Sequence, residues 1–580
     1  MDKLKRCYHQ ERILPAILIS VLIPLIVCCA TTIEVYANNM EEFLFSIWDF
    51  LPLCLLIGLL ISILNFCVLF FVPDLAYQII GHGMLALATL LFLQGTYLNG
   101  NLNSLAGDKL GSNQLSLGIK LLNLGIWLIL IGGAIGITFV KKIQTAVNRI
   151  AMVLVSIVIF TQLINPLFAI FNNPNIFMAK EDKLKHGDYA SVAKFASTKG
   201  ITTLSTNHNV FYFLIDRFDE YYVEEVMRNK PELFEMLDGF THFKDNISLY
   251  GHTYPSVAYM LTDYRYDNEL TRVQNLTKAY EGNQTIRTLH DNGYQINLFG
   301  QEYYDFFAGT LPDYVANLSD VSEYKVSKPW FLVAQMLGLS LYRCFPFLLK
   351  PIFVYITSNT FNSCLTIKDA AGYDQYTGNN KATLKLVQNT PFQTTEDHVF
   401  TFMHLDGCHD ADLDYHEDGT TKQSAKDVKM LTQLVTECFE VIKLYLNELE
   451  NKGLYKDATI IITGDHANPA DRKDVLSKPQ LTALFVKTAG STTKGLQTSS
   501  APVTHGNIWP TIMAAENIES DTEFGTTLSD VDDAVTREFI WQPYTQHSYA
   551  ESYYEIKGSA RTFANWKLIK TIYKDKFLLD

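Results

Sequence analysis

Five apolar stretches crowd into the first third of this chain, near residues 13–33, 47–72, 77–97, 118–140 and 148–171. Each is long enough to cross ~30 Å of hydrocarbon. Inside a bilayer a spanning segment must satisfy its own backbone hydrogen bonds, so these stretches are expected to be membrane helices. From about residue 205 onward the chain reads as a globular domain rich in Tyr and Phe. The mean hydropathy of +0.06 therefore averages two unlike halves. The expected division is a transmembrane domain over 1–172, a linker over 173–205 and a globular domain over 206–580.

Lys3, Lys5, Arg6 and Arg12 precede the first stretch, and Lys141, Lys142 and Arg149 lie between the fourth and fifth. The first loop carries Glu34, Glu41 and Glu42 instead. The positive-inside rule then places the N-terminus in the cytoplasm of a multi-pass cell-membrane protein, and an odd number of crossings puts the globular domain outside. Four more spans after the first favour an uncleaved anchor over a signal peptide. A sixth apolar run, near 330–356, contains Arg343 and Lys350 with Pro346 and Pro351. Each central cation costs about 2.5–3.5 kcal/mol to insert. The run is expected to lie on the membrane surface or over the site entrance; packing as ordinary core helices is the other reading.

The net charge of −14 argues against a nucleic-acid partner. The nine cysteines show neither metal-ligand nor disulfide-framework spacing.

Beyond residue 205, strands are expected at 209–215, 294–299, 397–404, 458–463 and 481–487, and helices at 219–229, 279–292 and 425–450. Alternation of this kind predicts an α/β domain with a mostly parallel sheet flanked by helices. Loops near 490–500 look mobile, and the chain ends in antiparallel strands.

Two of these strands end in acids: Asn-Val-Phe-Tyr-Phe-Leu-Ile runs into Asp216, and Ile-Ile-Ile-Thr-Gly into Asp465 and His466. Ligand sites in open α/β sheets form at the C-terminal ends of strands. Between them, Gly-His-Thr-Tyr-Pro-Ser offers a hydroxyl nucleophile at Thr253. Phosphate-ester cleavage is among the slowest uncatalysed reactions. A divalent ion assists by favouring an alkoxide and neutralising phosphoryl charge. Asp216, Asp465, His466 and Thr253 supply an O/N set suited to one Mn²⁺ or Zn²⁺, with Mg²⁺ less suited to the imidazole. His404 and His409, in Met-His-Leu-Asp-Gly-Cys-His-Asp, emerge near the same edge and offer phosphate contact, acid/base chemistry or a second metal. His505 and Arg217 are further substrate-binding candidates; a structural role balances the first, and a surface salt bridge is the favoured reading of the second. Asp406, Asp410, Asp412 and Asp414 read as solvated loop acids, though the cluster offers oxygens to a second cation.

These motifs, with Met-Leu-Thr at 260–262, Asn-Gly-Tyr at 292–294 and Pro-Thr at 510–511, resemble the alkaline phosphatase/sulfatase superfamily. Within it the chain looks most like the membrane-anchored lipoteichoic acid synthases, phosphoglycerol transferases and phosphoethanolamine transferases. The resemblance implies an alkaline-phosphatase-like extracytoplasmic domain and a single divalent ion on Asp216, Thr253, Asp465 and His466. It also implies a phospho-Thr253 intermediate and headgroup contact by His409. The donor would be a phospholipid, with phosphoglycerol first and phosphoethanolamine next as the group moved. The acceptor would be a cell-envelope glycan, teichoic chain or lipid. Two departures stand out: Leu-Thr-Asp at 261–263 where the family often has Leu-Thr-Gly, and Asn507 and Trp509 where an Asp-Ile or Asp-Leu is usual.

The rival readings are a phosphodiesterase or sulfatase-like hydrolase and a non-catalytic lipid-binding envelope regulator. Sulfatases resemble Cys/Ser-x-Pro-x-Arg at the nucleophile, whereas this chain has Thr253-Tyr-Pro-Ser-Val257. A regulator would show erosion at Thr253 or the ligands, and all four positions carry competent residues.

Overall fold

The computed structural model describes residues 10–38, 43, 45–99, 115–177, 194–267, 269–302, 304–353, 364–411, 424–468, 475–518, 524–542 and 549–574. Lys3, Lys5, Arg6, Cys7, Asp412 and Asp414 lie outside these residues. The chain divides into two compact units: Met1–Gly187 with Tyr324–Thr366, and Asp188–Glu323 with Ile367–Asp580.

Among the described residues of the first unit, five helices are long and apolar enough to cross a membrane: α1 (Arg12–Asn38), α2 (Leu51–Phe71), α3 (Asp74–Leu98), α4 (Leu117–Ile137) and α5 (Ala146–Asn172). Many of their apolar side chains face outward; Leu59, Leu64, Leu122 and Ile129 are examples, as expected of surfaces that meet lipid.

The sixth apolar run departs from the expectation of a surface-lying element. Its helix, Pro329–Cys344, packs into this unit, burying Leu332, Val333, Met336 and Leu339 in a cluster with Tyr36, Phe45 and Phe50. The physical reason lies in its cations. Arg343 pairs with Glu34 at 3.2 Å and donates from Nε to the Gly95 carbonyl. Glu34 is therefore no loop acid; it sits within α1. Lys350, 1 % exposed, donates from Nζ to the Tyr342 and Arg343 carbonyls, satisfying the end of the insertion helix. Asn99 donates to the Arg343 carbonyl, Gln94 to Asn99, and Asn123 to Gln94. Polar groups that are costly alone become acceptable as a connected network.

The second unit is built on a seven-stranded sheet. Its strands are β1 (Asn209–Ile215), β2 (Thr241–Phe243), β3 (Tyr294–Phe299), β4 (His398–Leu405), β5 (Ala458–Gly464), β6 (Leu484–Lys487) and β7 (Gln497–Ser499). Their order is β7-β2-β6-β5-β1-β4-β3. The four adjacent strands β5, β1, β4 and β3 are mutually parallel. β6 runs antiparallel to both its neighbours, an exception to the parallel expectation. The expected mobile loop near 490–500 contains β7.

Helices cover both faces. They are α6 (Glu220–Asn229), α7 (Thr253–Thr262), α8 (Arg272–Glu281), α9 (Thr285–Asp291), α10 (Asn380–Asn389), α11 (Ala425–Asn451) and α12 (Ile508–Ala515). The single helix expected over 279–292 is two, α8 and α9, parted at Gly282, Asn283 and Gln284. Along β1 the side chains alternate: Phe211, Phe213 and Ile215 pack against α6 and α11, and Val210, Tyr212 and Leu214 against α7, α8, α9 and α12. A strand apolar on both faces belongs in the middle of such a three-layer stack. The chain ends in an antiparallel sheet of β8 (Thr536–Trp541), β9 (Tyr549–Lys557) and β10 (Trp566–Lys574), as its sequence predicts.

Candidate metal centre and active site

Parallel pairing of β5 with β1 places Gly464 opposite Ile215, so the residues just beyond them, Asp465 and Asp216, leave the sheet side by side. With His466 they form a buried group whose ligand atoms all lie within 4.8 Å of one another. His466 Nε2 is 3.4 Å from Asp465 Oδ2 and 4.0 Å from Asp216 Oδ1. His466 Nδ1 is 2.7 Å from the Ala467 carbonyl, an acceptor only. Nδ1 therefore carries the proton, and the Nε2 lone pair faces the carboxylates.

Asp216 Oδ1 and Asp465 Oδ2 are buried with no hydrogen-bond partner among the described residues. Burial, and then the charge on Asp465, push the Asp216 carboxyl well above the usual carboxylate range. Asp465 goes the other way: burial raises it, but the His466 and His404 imidazoles outweigh burial and hold it low. Burial also lowers His466, which keeps its imidazole neutral. Two buried carboxylates, each with an unsatisfied oxygen, and a neutral imidazole nitrogen directed at them fit a divalent cation.

Thr253 is the first residue of α7, and its Oγ1 lies 3.3 Å from His466 Nε2. The helix starts without a side-chain cap. Pro255 occupies the first turn, where its missing N–H costs nothing. A helix start of this kind presents backbone N–H groups and the positive end of the helix dipole to an anion. Ser256, the other hydroxyl of the motif, is fully buried and donates to the Asp465 carbonyl at 2.6 Å. It fastens α7 to the strand end. At the far end of α7, Asp263 adopts the left-handed conformation (φ 57°) in which a helix usually stops on glycine. Aspartate tolerates that conformation, so Leu-Thr-Asp serves the backbone as Leu-Thr-Gly would.

Arg217 is also left-handed (φ 53°), which turns its amide onto Asp465 Oδ1 at 2.9 Å. Its guanidinium donates to the His409 carbonyl at 2.7 Å and to Asn468 Oδ1. Arg217 thus ties together the loops after β1, β4 and β5. Asn468 in turn donates its amide to Asp219 at 3.0 Å, and Asp219 caps α6. The loop after β4 crosses so close to Asp216 that a Cβ on Gly407 (φ 60°) would sit 2.4 Å from the Asp216 nitrogen.

His409 follows in that loop with an exposed side chain. Burial of its ring environment and the Arg217 charge lower its pKa. His404 is fully buried, and its Nδ1 lies 2.9 and 2.8 Å from the two Asp305 oxygens. Although burial opposes protonation, Asp305 outweighs it and raises His404 to about 9. Its Nε2 is buried without a partner among the described residues. His505 does not join the group. It is 2 % exposed, with Nε2 3.3 Å from Thr463 Oγ1 and 3.4 Å from Thr482 Oγ1, and burial pushes it down to about 4. Asp406 is engaged by Gln301 and Asn379. Sequence reasoning missed Asp305, Asp219 and Asn468. A strand-end histidine that ends up buried needs such a carboxylate, but nothing in its own segment says where the carboxylate comes from.

Among solved structures, the chain is similar to the phosphonate monoester hydrolase SpPMH from Silicibacter pomeroyi, at 14% identity over 64% of this chain and 89% of that one, with a TM-score of 0.36. It is also similar to a protein of the alkaline phosphatase superfamily from Vibrio parahaemolyticus, at 12% identity over 66% and 84% of the two chains, with a TM-score of 0.34. No curated protein matches it. Residues 208–518 match the Sulfatase family, over more than half of the 580 residues, and the chain belongs to that family.

Proposed function

We propose that this protein is a membrane-anchored, metal-dependent transferase that moves a phospholipid-headgroup phosphoryl unit through a phospho-threonine intermediate. Phosphoglycerol is the first choice of group and phosphoethanolamine the second. The acceptor is a cell-envelope glycan, teichoic chain or lipid. The observation that carries this reading is Thr253 Oγ1 at an uncapped helix start, 3.3 Å from His466 Nε2, beside two carboxylates that each keep one buried oxygen without a hydrogen-bond partner among the described residues. With the N-terminus in the cytoplasm, the α/β unit faces the outside of the cell membrane, where lipid headgroups and envelope polymers meet.

Asp216, Asp465, His466 and Thr253 would hold one Mn²⁺ or Zn²⁺, which supplies positive charge for the threonine alkoxide and the phosphoryl oxygens. The positive N-terminal end of α7 orients the phosphoryl group. Thr253 Oγ1 forms a bond to phosphorus as the bond to the diacylglycerol oxygen breaks, and the proton lost by Thr253 ends on that departing oxygen. The acceptor hydroxyl then repeats the displacement in reverse and releases Thr253. His404, kept as an imidazolium by Asp305, donates toward a phosphoryl oxygen, and His409 contacts the headgroup. Family membership does not make this a formylglycine sulfatase: the nucleophile position holds Thr253, not cysteine or serine.

The test is incubation of the purified protein with Mn²⁺ and a panel of labelled phospholipids. Diacylglycerol release and a phosphoglycerol or phosphoethanolamine adduct on Thr253 are expected. Release without any adduct on Thr253 would overturn the covalent route.

A further inference from the structure

Arg272 opens α8, and its guanidinium carbon lies 5.9 Å from the Tyr254 ring centroid and 5.8 Å from that of Tyr304. Among the described residues its buried Nε has no hydrogen-bond partner, and no carboxylate lies within ion-pair reach of it. Both tyrosines border the site. Tyr254 follows Thr253, and Tyr304 precedes Asp305, which grips His404. The sheet order sets the direction. Asp465 and Asp216 leave β5 and β1, His404 ends on β4, and the Tyr304–Asp305 loop follows β3 at the sheet's end. Arg272 thus touches the residue that follows Thr253 and the residue that precedes Asp305, on the side of the site toward β4 and β3.

A guanidinium held against aromatic rings still offers its N–H edges, and those edges match the oxygens of phosphate. An arginine kept in this way, without a carboxylate of its own, suits an anion that arrives from outside. We propose that Arg272 in its tyrosine cleft binds a second anionic group of the substrate, a phosphate or phosphodiester one unit along from the reacting phosphorus. This rests on the transferase reading and deepens it: the preferred substrate carries two phosphates.

The test uses full-length protein in detergent with Mn²⁺, titrated calorimetrically with glycerol 3-phosphate and with glycerol 1,3-bisphosphate. Wild type is expected to favour the bisphosphate by about tenfold, the equivalent of one charge-assisted contact. Arg272→Gln should bring the two affinities to parity, and Arg272→Lys should fall between. An unchanged melting temperature guards against misfolding.

Turnover locates the source of the second phosphate. A KM rise in Arg272→Gln confined to a phosphate-bearing acceptor assigns it to the acceptor. A rise confined to a lipid donor with two phosphates, relative to one with a single phosphate, assigns it to the donor. A wild type that binds the monophosphate but shows no preference overturns the Arg272 site alone, as does a preference that survives Arg272→Gln. A wild type that binds neither compound overturns the transferase reading with it.

Discussion

In the membrane unit, Arg343 lies 3.2 Å from Glu34, and its Nε donates to the Gly95 carbonyl. In the α/β unit, Asp216 and Asp465 leave the sheet together with buried oxygens that no described residue satisfies. Both places bury charge at a cost of several kcal/mol per ion. The first offsets that cost with a partner from its own chain, and so reads as architecture. The second does not, and so reads as a place for something that binds.

The comparison breaks most severely at the nucleophile. Thr253→Ala should lower turnover by at least ~10³-fold, about 4 kcal/mol of barrier, with folding intact. Substantial residual activity in a labelled-lipid assay would remove Thr253 from the mechanism. Next in size, Glu34→Gln should destabilise the membrane unit by about 3–5 kcal/mol, because it strands Arg343. Glu34→Gln with Arg343→Met should recover much of the loss; thermal melts in detergent decide, and a harmless single variant would show that the pair is not holding the insertion helix.

Asp216→Asn should act in the opposite sense. It relieves the repulsion with Asp465, so the metal-free protein should melt at a higher temperature. Mn²⁺ at about 100 times its Kd stabilises a single site by about 2.7 kcal/mol, and the variant should lose that gain. A metal-induced shift that survives in Asp216→Asn would move the site elsewhere.

The smallest expected effect is the pH dependence of His404. Its value of about 9 lies above that of a free histidine, ~6.5. Its pairing with Asp305 is therefore fully stabilising below about pH 6.5 and is lost as the pH rises through about 9. The stability gap between wild type and Asp305→Asn should close over that interval; a gap constant with pH would show that the dyad is uncharged.

Much of this was legible because two strands carry their ligands at their own ends. Asp216 and Asp465–His466 each follow an apolar run, and parallel pairing needs no further information to bring them together. Thr253 was legible as the hydroxyl that Gly-His-Thr-Tyr-Pro-Ser offers between the two strand-end acids. What escaped depends on contacts distant in sequence. Asp305 reaches His404 across 99 residues from a loop with no pattern of its own. The Pro329–Cys344 run looked too charged to enter a membrane unit because its counter-charge, Glu34, lies in the first helix, about three hundred residues earlier. His505, next to an apolar helix, gave no sign that Thr463 and Thr482 would enclose it.

The excursion from Tyr324 to Thr366 also bears on the order in which the chain is made. Ser322 donates its amide to the Lys368 carbonyl at 2.9 Å, so the segment leaves and returns at one point of the α/β unit. When it emerges during synthesis, β1 and β3 already exist, but β4, the strand that lies between them, does not. A chain made from its N-terminus can therefore dock the insertion helix onto α1 while the later sheet still consists of β1, β2 and β3, none of them neighbours in the finished order. β4 is then inserted between β1 and β3, into a gap whose sides have been waiting. Mutations that slow that docking should show up as material trapped before sheet closure, a defect of assembly in a protein whose finished site is unchanged.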